Sequence, residues 1–155
     1  MGLFKKIKTV TSTTTTYRAG LLQTKAYRAL KQHTAAVLDD SNISTVEWGF
    51  LGLLRENPKG LRLSILANEL GVEAPFVTQM VNRLKPKGFF EVVTDPEDSR
   101  AKIMCLTQKG IEFVDSTEKI LREKTRRLFH GASLTDLAAY LTVLQTIIDN
   151  YEGKE

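Results

Sequence analysis

The sequence predicts a mainly α chain with one small β-hairpin, an α+β class, and three observations carry that expectation. Apolar residues recur at helical spacing through most of the 155 residues. Two short helical patterns, Leu63–Leu70 and Ala74–Lys85, are separated by a glycine turn. Two runs of strand composition, Phe89–Thr94 and Lys102–Thr107, then flank a polar tip that contains Pro96.

Bulk properties narrow the classes. The length suits one domain, or a small head fused to a second helical layer, and no apolar run approaches the roughly 20 residues that cross a bilayer. A single cysteine, Cys105, permits no internal disulfide, and no secretory pattern precedes the globular part, so a cytoplasmic protein is expected. One Cys with the distant His33 and His130 does not supply zinc-ligand spacing, and no cofactor motif is present. There is likewise no nucleophile–base pair and no phosphate-binding glycine loop, which argues against an enzyme.

The net charge of +4 is unevenly distributed. Lys5, Lys6, Lys8, Arg18, Lys25, Arg28 and Lys31 precede His33 with no acidic residue among them. They read either as a phosphate-binding arm or as a solvated tail. From Leu61 to Lys102 six basic side chains meet six acidic ones, so any attraction for polyanions there must come from local arrangement.

Taken in order, residues 1–16 contain the threonine-rich run Thr9–Thr16, whose β-branched residues disfavour a helix, and are expected to be a flexible tail. Tyr17–Asp39 places Leu22, Ala26, Ala29, His33 and Val37 at helical spacing, with Leu30 beside them. Ser44-Thr45-Val46-Glu47 is a capping box for a helix that should bury Val46, Phe50, Leu53 and Leu54, with Trp48 packed on a neighbour, before Asn57-Pro58-Lys59-Gly60 stops it.

The first of the paired short helices should bury Ile65, Leu66, Ala67 and Leu70, and Gly71 supplies its left-handed closing residue. The second repeats the pattern through Val77, Met80, Val81 and Leu84, with Pro75 tolerated in its first turn and Pro86 beyond its end. The strands should form an antiparallel hairpin with a long tip. Thr107 can cap a helix running from Gln108 to about His130, where Gly131-Ala132-Ser133 breaks it. A last helix, Leu134 to about Tyr151, aligns Leu137, Leu141, Leu144, Ile148 and Tyr151 in a heptad-like seam. The seam suits either the monomer's own core or a second copy. Three long helices outside the paired motif favour self-association, because one chain of this size cannot bury them all.

Helix, glycine turn, helix and hairpin is the order of a winged helix-turn-helix, a module that commonly lays its second helix in a DNA major groove. Over Thr45–Asn150 the chain resembles the MarR-type (multiple antibiotic resistance regulator) transcription factors. The motifs are Leu66-Ala67-Asn68-Glu69-Leu70-Gly71-Val72, Val77-Thr78-Gln79-Met80-Val81-Asn82-Arg83-Leu84, Lys87-Gly88-Phe89, Asp95-Pro96-Glu97-Asp98-Ser99-Arg100 and Leu106-Thr107-Gln108-Lys109-Gly110.

The resemblance implies a homodimer on a pseudo-palindromic site of double-stranded DNA. Residues 17–44 would be an N-terminal dimerisation helix, 45–107 the winged helix-turn-helix and 108–155 the C-terminal dimerisation helices. Within the second short helix, Pro75, Phe76, Thr78, Gln79 and Asn82 are expected to meet base edges, and Arg83, Lys85 and Lys87 to meet phosphates. Arg100 matches the family's wing arginine, which enters the minor groove or pairs with a wing carboxylate, so Asp95 and Asp98 are its expected orienting partners. Relatives are often released from DNA by small phenolic or lipophilic effectors, and here Tyr17, Tyr27, His33, Trp48 and Phe50 are the candidate pocket. Aromatic residues at helical spacing are also what a plain core requires.

This sequence departs from the family pattern at Glu73, where a Ser or Thr cap is usual, and at Pro75 and Phe76, where small polar residues are. Arg62 stands at another usual cap position, and Gln79 replaces a common Arg or Lys. The alternative reading is a winged-helix protein-interaction module without specific DNA binding. Cys105 within a strand reads as a packed residue rather than a redox sensor.

Overall fold

The computed structural model describes residues 16–153. The expected tail lies outside the described residues except for Thr16, which opens the first helix. Helix α1 spans Thr16–Leu38 and closes in a 3-10 turn, Asp39–Ser41, with Asn42 in the left-handed region at φ 52°. Helix α2 is Thr45–Glu56, strand β1 Leu61–Arg62, helix α3 Leu63–Leu70 and helix α4 Ala74–Leu84. After a 3-10 turn at Lys85–Lys87 come strands β2, Phe90–Asp95, and β3, Asp98–Leu106. Helix α5, Gln108–Thr125, and helix α6, Leu134–Glu152, are the last elements of the described residues. No helix among the described residues is long and apolar enough to cross a membrane.

Residues as far as Arg122 form one compact unit. Its core joins Phe50, Leu51 and Leu54 of α2 to Leu66 of α3, to Val77, Met80 and Leu84 of α4, and to Phe90 and Met104 of the sheet. Phe50 meets Phe90 edge-on, with ring centroids 5.2 Å apart, a favoured aromatic geometry. The buried set of α4 is the one its periodicity predicts, whereas α3 buries Leu66 and Ala67 and leaves Ile65 exposed. On α2 the deeply buried residues are Glu47, Phe50, Leu51 and Leu54, with Val46 and Leu53 only partly covered. α3 ends as expected: Gly71 adopts φ 63° and the Val72 N–H returns to the Ala67 carbonyl.

The sheet has three antiparallel strands in the order β1-β3-β2. The two-residue β1 escapes sequence reading because it is shorter than any alternation pattern. The hairpin tip is tight rather than long. Pairing continues to Asp95↔Asp98 with an irregularity at Thr94/Asp95, leaving Pro96 and Glu97 as the turn. The Glu97 N–H donates to Asp95 Oδ1 at 2.9 Å, so the aspartate substitutes for backbone partners and allows a shorter loop. Thr107 caps α5 through its hydroxyl, which accepts from the Gly110 N–H at 3.1 Å.

Glu123–Glu155 form a second compact unit. α5 stops at Thr125 rather than near His130, and the Leu128 and His130 N–H groups bond three residues back, to Thr125 and Arg127. A β-branched Thr125 and a like-charged Arg122/Arg126 spacing both work against another α-turn there. Ser133, expected only as part of a break, also caps α6. Its hydroxyl accepts from the Asp136 N–H and the Asp136 carboxylate accepts from the Ser133 N–H, a full capping box.

Candidate nucleic-acid interface

Helix α4 turns its apolar stripe inward, and the same geometry turns Pro75, Phe76, Thr78, Gln79 and Asn82 outward. Phe76 is 47% exposed although it is a large apolar group. Pro75 falls in the first turn, and Glu73 at the N-cap makes no side-chain bond to the helix. The outward face therefore offers amide, hydroxyl and apolar groups, the types that read base edges in a major groove.

The three cations assigned to phosphates divide. Lys85 is exposed and has no ion-pair partner among the described residues. The Lys87 ammonium donates to the Ser41 carbonyl at 3.0 Å, which ties the end of α4 to the corner between α1 and α2. The Arg83 guanidinium pairs with Glu47, whose side chain is 1% exposed. Arg83 is thus engaged within the protein, a connection that sequence spacing does not reveal because the partners lie on different helices.

The wing is also held differently from the expectation. Asp95 and Asp98 receive Arg62 rather than the Arg100 side chain: Arg62 Nη2 lies 2.6 Å from Asp95 and 3.8 Å from Asp98, and its Nε donates to Asp95 at 2.8 Å. The register explains this. Arg62 pairs across β1 with Ile103, Ile103 pairs with Val93, and Asp95 lies two residues beyond on the same strand. The Asp95 carboxyl is held below its ordinary value by the Glu97 N–H first and Arg62 second, and Asp95 raises the Arg62 guanidinium in turn. Arg100 keeps only a backbone tie, its N–H donating to Asp98 Oδ1 at 3.1 Å, and its exposed side chain has no ion-pair partner among the described residues.

Among the described residues, the five candidate pocket residues fall in different surroundings. Phe50 is in the core, Tyr17 is exposed and His33 is half-buried. Tyr27 borders a cleft of about 390 Å³ with Leu30, Lys31 and Val46. Trp48 borders another of about 560 Å³ with Leu53, Val114 and the α2–α5 ion pair of Arg55 with Asp115. The two clefts share Gly49, Glu69 and Leu70 in their walls. Cys105 sits on β3, where burial, and then Glu91, push its thiol up, away from the reactive thiolate.

A three-stranded wing behind two short helices defines a winged helix-turn-helix protein. No family model matches the sequence. Among solved structures, the transcriptional repressor CouR bound to a 23-mer DNA duplex is similar at 24% identity, with 83% of this chain and 91% of that chain covered and a TM-score of 0.75. CouR from Rhodococcus jostii RHA1 bound to p-coumaroyl-CoA matches at 21% identity over 83% and 90% of the two chains, TM-score 0.78. A MarR-family transcriptional regulator from Rhodococcus sp. RHA1 matches at 19% identity over 87% and 96%, TM-score 0.78. The chain has the winged-helix fold of the MarR-family regulators.

Proposed function

We propose that the protein is a sequence-specific double-stranded DNA-binding transcriptional regulator acting as a homodimer on a pseudo-palindromic operator. The observation that carries this reading is the outward face of α4, where Phe76, Thr78, Gln79 and Asn82 stand exposed above a fully apolar inner stripe. The exposed Arg100 side chain on the wing, without an ion-pair partner among the described residues, supports it, and so does the fold likeness to a repressor bound to DNA. Residues 45–107 are the reading head. Residues 17–44 and 108–155 supply the dimer layer, since α1 leaves Tyr17, Leu21 and Leu22 exposed and α6 leaves Leu134, Leu141 and Tyr151 exposed. Repression relieved by a small lipophilic or phenolic effector fits the adjoining clefts beside Tyr27 and Trp48.

A titration of duplex binding at two salt concentrations tests the reading, because displaced counterions make log affinity fall linearly with log salt. Steep dependence on a duplex selected from a random pool is expected. Arg100→Ala should weaken it without dissolving the dimer, and Gln79→Ala should cost about 1–3 kcal/mol and relax base preference. Salt-insensitive binding, or none to any duplex, would leave a protein-interaction module. The internal engagement of Arg83 and Lys87 is the observation that favours that second reading.

A further inference from the structure

Glu47 is nearly inaccessible, and its carboxylate has an unequal set of partners. One oxygen, Oε2, accepts the Ser44 N–H at 2.7 Å as part of the α2 capping box and also faces the Arg83 guanidinium. The other, Oε1, is buried with no hydrogen-bond partner among the described residues. Arg83 is the ion-pair partner of this buried charge. Arg83 itself is 51% exposed, so the buried member is the Glu47 carboxylate, and drawing the guanidinium away would leave that charge uncompensated, at a cost greater than a screened surface contact returns. The pair also occupies a sensitive position. Ser44, Glu47, Phe76, Gln79, Met80 and Arg83 line one shallow cleft of about 210 Å³. Phe76, Gln79 and Arg83 follow at spacings of three and four along α4, so they form one stripe whose last member is tied to α2.

We propose that Glu47 is a positioning residue that withholds Arg83 from DNA phosphates and fixes the rotation of α4, so that the helix addresses a duplex through Phe76 and Gln79 rather than through charge. This rests on the DNA-binding reading. Sequence discrimination follows from it, because phosphate contacts add affinity for every duplex and carry no direct base information.

The experiment compares the salt dependence of binding to a selected and a scrambled duplex for the full chain and for the variants Glu47→Gln, Arg83→Gln and the double variant. Gln preserves the capping box, which accepts Glu or Gln at this position. Arg83→Gln should leave the slope of log affinity against log salt unchanged. Glu47→Gln should steepen it by about 0.9 for each freed guanidinium, or nearly 2 for a dimer. Affinity for the scrambled duplex should rise more than affinity for the selected one, and the double variant should restore the original slope. A lower slope in Arg83→Gln alone, or an unchanged slope in a folded Glu47→Gln, overturns the proposal. Circular dichroism checks that each variant folds; if a single variant does not, the double variant, which leaves no unpaired buried charge, decides, and a slope below that of the wild type overturns the proposal. A wild-type chain that binds no duplex in a salt-dependent way overturns the DNA reading itself and this role with it, a result distinct from failure of the variants alone.

Discussion

Asp95 accepts the Glu97 N–H within its own turn and the Arg62 guanidinium from across the sheet, and its side chain is 12% exposed. Its carboxyl lies below the ordinary 3.8, so the stabilisation it gives is fully present above that value and is lost as pH falls through the lowered folded one. Amide signals of Glu97 and Asp98 in NMR spectra should therefore report a wing transition below about pH 4. Asp95→Asn should abolish that transition, and an unchanged titration would show that the latch does not hold the wing. Gly110 matters for a steric reason. A Cβ there would lie 1.9 Å from the Phe89 carbonyl oxygen, a backbone atom with little room to yield. Gly110→Ala should cost about 2–3 kcal/mol by urea unfolding. A change within experimental error would mean that α5 can slide off the start of β2. Of these details, the sequence marked Asp95 as a residue that orients the wing but gave neither its tight turn nor its partner, since Arg62 is brought to it only by strand pairing.

Helix ends were the most legible elements. The Ser44 and Thr107 caps and the Gly71 closure all follow from short-range chemistry, because a cap contacts residues two or three positions away. Ser44→Ala should lower the stability of the first unit by about 1 kcal/mol. A loss of less than a few tenths of a kcal/mol on chemical unfolding would mean that solvent replaces the hydroxyl without penalty. The elements read less well are those set by neighbours. β1 exists because Leu61 and Arg62 find Met104 and Ile103, and the hairpin tightens because Asp95 and Asp98 satisfy backbone donors at the turn. The end of α5 moved five residues inward for lack of any strong stop signal before Gly131.

For the whole molecule, the decisive question is what covers the apolar faces of α1 and α6. Leu22, Leu141 and Tyr151 are exposed, and Tyr151 reaches 91%. Large apolar side chains left uncovered on a helix face mark an association site. Sedimentation equilibrium should find a dimer, and Leu141→Glu should convert it to monomer while leaving the helicity unchanged. A monomeric wild-type protein would overturn the proposed dimer and with it the two-headed reading of an operator. The sequence by itself determined the helix-turn-helix, the two hairpin strands of the wing, the inward stripe of α4 and the Ser44 and Thr107 caps, because periodicity and capping act within a few residues. Only the tertiary structure decided which charges are free. Glu47 claims Arg83, Ser41 claims Lys87 and Arg62 claims the wing aspartates, while Lys85 and Arg100 are left without ion-pair partners among the described residues. Such pairings join residues far apart in the chain, and strand register and helix packing bring them together where spacing cannot.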